Sequence, residues 1–350
     1  MFNKTTIGLM ALLLSLATTA NAQDRDLVPD QMDTEKEDKG WVPKLVLSAS
    51  FSFGHTSNVP SAQDGSTISL GGTLDSGIAY YGKQHEWRNT LNYQAVGSMS
   101  PAIEEFVKST DSLVFESIYL YHIPGVHWLG PFVRFKLDSA IFRGKYVQAD
   151  AKTFTVLRTD GTVDNLGSQS TLATTGNFEP LKLEESIGLF AQPVDTPPVK
   201  VEFRAGVGAR QVFTNNSPTL SDDAATADII EFSELKDSVQ IGGELFAGVS
   251  GTVTWDDLGK DRPLTYSVNG EVLLPFYSKV ETDAESTSDL DNTTVLLEAK
   301  LGVKLFAWMS LDYALKASRE PLLHLEAQDE ADKWGISNSL LLSFSYSVVE

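Results

Sequence analysis

The sequence predicts an all-β fold: a transmembrane, antiparallel, up-and-down β-barrel of about 12 strands with short periplasmic turns and long extracellular loops. Three observations carry this. Long segments alternate apolar and polar residues with a period of two. Those segments run to roughly 10–16 residues, where strands of soluble proteins average about 5–6. Tight and long connections also take turns along the chain.

Taken in order, the segments span approximately 43–54, 66–81, 84–98, 111–122, 130–143, 180–191, 199–214, 237–254, 263–280, 292–306, 308–318 and 335–349. In "VKVEFRAGVGARQVF", Val199, Val201, Phe203, Ala205 and Val207 share one side, and Lys200, Glu202, Arg204 and Arg210 share the other. Successive side chains of a strand point to opposite faces, so one face is oily and one is charged. "TTVLLEAKLGVKLFA" repeats the pattern, with Val295, Leu297, Ala299 and Leu301 opposing Glu298, Lys300 and Lys304. The connections "YGK", "IPGVHWLG", "PVDTPPV" and "DLGKDR" are tight. Those at 55–65, 99–110, 144–179, 215–236, 281–291 and 319–334 are long and polar. The 144–179 loop is long enough either to fold inward as a constriction or to lie outside as a mobile cap. Tyr80, Trp87, Tyr119, Tyr121, Trp128, Trp255 and Trp308 fall near the tight-turn ends, where an interfacial aromatic girdle belongs.

The first 22 residues read as a cleaved signal peptide: a charged "MFNK", a short apolar core and "ANA" before Gln23. Residues 23–40 read as a disordered acidic periplasmic segment, and 41–350 as the barrel. The protein is therefore expected in the outer membrane of a Gram-negative-type cell. The chain has no cysteine, which excludes disulfides and a lipoprotein anchor. A formal charge of −20 argues against nucleic-acid binding.

Inward parity gathers the acids Glu86, Glu116, Asp138, Glu184, Glu202, Glu244, Glu271, Glu298 and Asp312. It gathers the bases Arg88, Arg134, Lys136, Lys182, Lys200, Arg204, Arg210, Lys300, Lys304 and Lys316. These lumen-lining candidates nearly balance, so the negative excess belongs to loops such as "VETDAESTSDLD". In a narrow barrel such groups can knit across the interior and leave a thin passage for small solutes. No metal site and no cofactor is expected: the calcium-like run "ETDAESTSDLDN" lacks the required glycine, and no histidine has a partner at ligand spacing.

Two resemblances add to this reading. The order "SNV", "DG", "HEWRNTLNY", "EFVKSTDSLVFESIYLYH" and "GPFVRFKL", between Leu45 and Phe142, resembles a family of exported bacterial proteins defined as a domain of unknown function. That resemblance implies an outer-membrane β-barrel and supplies no activity. Locally, "SFGHTSNVPS" resembles outer-membrane phospholipase and the lipid A deacylases, which carry a His-x-Ser-Asn run. It implies His55 as general base and Ser57 as nucleophile on acyl esters of phospholipid or lipid A. The orienting Asn or Glu of those families is replaced here by Ile68, Ser69 or Leu70, with Asp64 and Ser66 the nearest polar residues. Val59 stands where a glycine is common. The expected function is a porin-like or structural barrel rather than an enzyme. Alternatives are acyl-ester hydrolysis through His55 and Ser57, and a loop-mediated adhesin or receptor. Expected partners are outer-membrane lipids and lipopolysaccharide, the barrel-assembly machinery and small solutes.

Overall fold

A computed structural model describes residues 40–56, 65–101, 103–221, 226, 228–254, 263–280, 291–306, 308–323 and 334–349. The leader and most of the acidic segment lie outside the described residues. Sixteen strands account for nearly all of the rest. Twelve form the barrel: β1 (Gly40–Thr56), β2 (Gly65–Tyr81), β3 (His85–Ser100), β4 (Ile103–Tyr121), β5 (Leu129–Ser139), β8 (Leu181–Thr196), β9 (Val199–Phe213), β12 (Ser238–Val253), β13 (Leu264–Val280), β14 (Thr294–Phe306), β15 (Met309–Arg319) and β16 (Gly335–Val349). They close in the order β1-β16-β15-β14-β13-β12-β9-β8-β5-β4-β3-β2, every neighbour antiparallel. The first and last strands meet, with Leu47 opposite Tyr346. Closure pairs the backbone of every strand and leaves no edge to hydrocarbon.

The two faces are inverted relative to a soluble protein. Phe51, Ile187 and Phe276 are at least 60% exposed on the outside, whereas Arg134 is 4% and Glu244 5% exposed on the inside. An apolar surface of this extent is stable only against lipid. At the tight-turn end Trp87, Tyr119, Trp128 and Trp308 are exposed, and the Trp41 ring lies tilted at 5.2 Å from Tyr80 and 5.9 Å from Trp87. Trp255 lies outside the described residues. Among the described residues no helix is long and apolar enough to cross a membrane.

Two connections differ from the expectation. Strand β4 begins at Ile103, so most of the expected loop at 99–110 is strand, with a turn at Pro101. The neighbouring charges of Glu104, Glu105 and Lys108 break the oily alternation. Beyond the hydrocarbon a strand needs only its ladder, and β4 keeps pairing with β3 through shifts at Val96/Gly97 and Ser98/Ser100.

The second difference is a four-stranded sheet built from two of the long loops. The 144–179 segment forms β6 (Gly144–Leu157) and β7 (Val163–Thr175). Loop 214–237 contributes β10 (Pro218–Leu220) and β11 (Ile229–Glu234), in the order β10-β11-β6-β7. Strand β11 runs parallel to β6, with Ile230 opposite Phe154. Their shared face buries Phe154, Val156, Ile230 and Phe232 against Tyr146 and Leu172, and the Phe154 and Phe232 rings stand 5.7 Å apart. At the β6–β7 turn Gly161 adopts φ +82°, and Asp160 accepts from the Thr162 amide and hydroxyl. These hydrogen bonds hold the Asp160 carboxyl below its ordinary range. Glu234 joins the two loops, accepting from Arg158 Nη1 at 2.5 Å and from the Thr159 amide at 3.0 Å.

Within the barrel, Gly188 of β8 and Gly206 of β9 lie opposite one another on the inner wall. A Cβ at Gly188 would stand 2.2 Å from the Ala205 carbonyl oxygen and 2.5 Å from the Gly206 Cα. Gly188→Val is therefore expected to cost about 3 kcal/mol or more, through overpacking against backbone. Semi-native electrophoresis in detergent reads this directly. The wild-type chain should migrate anomalously until boiled, and the variant should lose its unheated band at a lower temperature.

Candidate functional site

The barrel strands set inward-facing charges on successive levels of the lumen. Nearest the tight-turn end, Arg88 of β3 contacts Glu86 and, across the lumen, Glu202 of β9, both at 3.3 Å. Strands β4, β5 and β8 intervene, so this pair spans the interior rather than a ladder. Gln192 donates to Glu202 at 2.9 Å, and Arg204 lies 3.3 Å from Glu202 with its guanidinium 3.8 Å from the Phe246 ring centroid. His122 donates from Nδ1 to the His127 carbonyl at 2.6 Å, and its Nε2 meets the Glu86 carboxylate at 3.0 Å. Beside this level Ile118, Leu120, Phe132 and Phe190 form a buried apolar cluster on the inner wall. This part of the lumen is filled.

Above it, Arg134 of β5 sits among four carboxylates. Its distances are 3.3 Å to Glu116 of β4, 3.5 Å to Glu184 of β8, 3.6 Å to Glu244 of β12 and 3.3 Å to Glu271 of β13. Strands β8, β9 and β12 separate β5 from β13, so this guanidinium also bridges the interior. The planar fork of arginine can face several carboxylates at once, which a lysine ammonium cannot match. Lys136 reaches Glu184 at 3.7 Å.

Toward the long-loop end the wall opens into a small chamber. Lys136, Asp138, Lys182, Arg210 and Lys316 line it with Leu273 and Leu296. Glu320, just beyond β15, turns inward over this chamber and binds Arg210 at 2.6 Å and Lys182 at 3.7 Å. The next residues form a short 3-10 turn (Pro321–Leu323) in which Leu322 is buried. Sequence reasoning assigned this segment to an acidic loop and missed Glu320. It missed His122 and Gln192 as well, because parity marks a face and not a partner. The inward parity of Phe132 and Phe190 was the available signal for the apolar cluster.

The opposite wall is different in kind. Inner positions of β1 and β2 are Ser48, Ser50, Gly71 and Thr73, with Ser48 opposite Thr73, and all four are half-buried. Strand β16 brings Ser345 to the register position facing Ser48, and Ser343 to that facing Ser310 of β15. Lys44 and Asp75 share this wall, and both are partnered. Long charged side chains thus fill one side of the lumen, and small hydroxyls and glycines line the other.

The remaining candidates flank this arrangement. Glu298 of β14 is buried and lies opposite Lys316, Lys304 lies opposite Ser310, and Asp312 accepts from Ser310 at 2.6 Å. Lys300 lies opposite Ala314, and Lys200 of β9 pairs in register with Ser250. At the other rim, Ser57 and Asp64 lie outside the described residues, as does the side chain of His55. The backbone register sets Ser66 opposite His55 and Ile68 opposite Phe53. Among the described residues, β2 carries no amide or carboxylate side chain before Asp75. No group of three or more His, Cys, Asp or Glu among the described residues could hold a metal ion.

Comparison with solved structures returns outer-membrane β-barrels. The β domain of the Bordetella autotransporter BrkA is 12% identical, covering 88% of this chain and 99% of its own, with a TM-score of 0.35. The COG4313 outer-membrane channel of Pseudomonas putida F1 is 11% identical over 93% and 100%, with a TM-score of 0.37. The translocator domain of NalP from Neisseria meningitidis is 11% identical over 97% and 95%, also at 0.37. No protein-family model matches the chain. No curated protein matches it either. These neighbours include a channel as well as autotransporter domains.

Removing Arg134 would leave four acids facing one another in the lumen. Arg134→Met is expected to destabilise the barrel by about 3–5 kcal/mol, the usual cost of breaking a buried charge cluster from one side. Arg134→Lys should recover only part of that. Guanidinium titration of the detergent-solubilised protein measures both.

Proposed function

We propose that this barrel is a narrow outer-membrane channel for small hydrophilic solutes, and that solute moves along the hydroxyl-lined wall of β1 and β2. One observation carries the reading: the lumen is filled from one side only. The Arg134 cluster and the Arg88–Glu202 bridge hold their long side chains in place by mutual pairing. Ser48, Ser50, Gly71 and Thr73 project little and keep intermediate exposure. Water and solutes can hydrogen-bond to serine and threonine hydroxyls, so such a wall favours hydrated molecules without demanding one charge sign.

In this reading residues 1–22 are removed on export and 23–40 hang as an acidic segment in the periplasm. The barrel is inserted by the assembly machinery, and its outer face and loops meet lipid and lipopolysaccharide. The pattern from Leu45 to Phe142 supports kinship with the exported barrel family that it resembles. The hydrolase reading gains no support from β2, which among the described residues carries no amide or carboxylate before Asp75 to orient an imidazole at His55.

The absence of native cysteine makes the test clean. Purified protein in a planar bilayer should give small, discrete conductance steps. In the Ser48→Cys variant, a charged methanethiosulfonate reagent should cut that conductance by half or more. In Leu47→Cys, which faces lipid, it should change little. Electrical silence of the wild-type protein would overturn the proposal.

A further inference from the structure

A short piece of chain from just beyond β15 reaches across the mouth of the lumen. Glu320 continues the inward parity of Asp312 and Lys316. Its carboxylate meets the Arg210 Nη2 of β9 at 2.6 Å and the Lys182 ammonium of β8 at 3.7 Å. Strands β14, β13 and β12 separate β15 from β9, so these contacts span the interior. The preceding residue is tied down separately. Arg319 donates to the Thr293 carbonyl at 2.9 Å and to the Asp291 carbonyl at 3.1 Å, where the chain leads into β14. Pro321 and Leu322, which follow, are both buried. Fixed on one side by Arg319 and on the other by Glu320, the segment enters the mouth instead of standing above it.

The bases at this level depend on that acid. Lys182 has Asp138 opposite it in register. Glu184 also approaches Arg210, at 3.8 Å, but it is shared with Arg134 and Lys136. Both basic side chains are nearly buried, so little water screens them. An ion arriving from the long-loop end meets Glu320 together with Arg210 and Lys182, a field that largely cancels. Without the acid it would meet two bases side by side, and basic constrictions favour anions.

We propose that Glu320 forms the constriction of this lumen and sets its charge selectivity, by denying anions the basic pair that they would otherwise follow. The selectivity rests on the channel reading. The placement rests on the contacts alone, and the two are tested apart.

In planar bilayers under a potassium chloride gradient, the wild-type protein should discriminate little between the two ions. Glu320→Gln should raise the permeability of chloride over potassium by roughly threefold or more and enlarge the conductance step. Glu320→Asp keeps the charge and should stay near wild type. An unchanged reversal potential in Glu320→Gln, or an equal shift in Glu320→Asp, would overturn the selectivity role. Placement is read without current. Leu273→Cys sets a single thiol in the chamber that Glu320 also lines. A membrane-impermeant maleimide added to whole cells should label it slowly, and adding Glu320→Gln should speed labelling about tenfold. Equal rates would remove the constriction. Each variant is checked for assembly by its unheated band on a gel. Should Glu320→Gln not assemble, Lys182→Met carries the selectivity test with the opposite sign, and no shift toward potassium would refute it. Faster labelling in an electrically silent protein would sink the channel and keep the constriction. Conductance with neither change would do the reverse.

Discussion

Hydrocarbon offers no hydrogen-bond partner, and that single deprivation organises this molecule. Every amide and carbonyl at membrane depth must find its complement in another strand, so the sheet has to close on itself. Closure by β1 against β16 then fixes which side of each strand meets lipid. The inside inherits all the side chains that lipid would reject, and their mutual neutralisation becomes the problem the interior must solve. The Arg134 cluster, with four carboxylates drawn from four different strands, is one solution.

That solution also shapes the lumen. Long charged side chains reach from β3, β5, β8 and β9 toward their partners and fill the space between, while β1 and β2 carry the small residues Ser48, Ser50, Gly71 and Thr73 at inner positions. A uniform lining would leave either a wide pore or a plug. The one-sided arrangement combines a stiff, packed wall with a soft hydroxyl wall, and the chamber lies where the packing of the charged wall relaxes toward the long-loop end.

Much of the architecture was legible because the signal is short-range. Two faces with period two, as in Phe203 beside Arg204, sort lipid from interior without knowledge of any other strand. What sequence could not give depends on shear and tilt. The meeting of Arg88 with Glu202, or of Arg134 with Glu271, follows from where distant strands cross the same level, and no local pattern encodes that. Glu320 looked like another acid in an acidic loop, and only the inward turn of its segment brings it to Arg210. Strand β4 was cut short in the reading because charge interrupts its alternation, although the backbone ladder continues past the point where lipid ceases to matter. The inner serines of β1, Ser48 and Ser50, were present in the same parity and carried the hint of the open wall.

The small outer sheet has a consequence for how other molecules meet this surface. Strands β6 and β7 come from one loop and β10 and β11 from another, and their parallel pairing encloses a common aromatic centre. The face they present is therefore a discontinuous epitope. An antibody raised against a linear peptide of either loop would meet only half of it, and sequence drift in one loop would have to be matched by its companion to keep the shape.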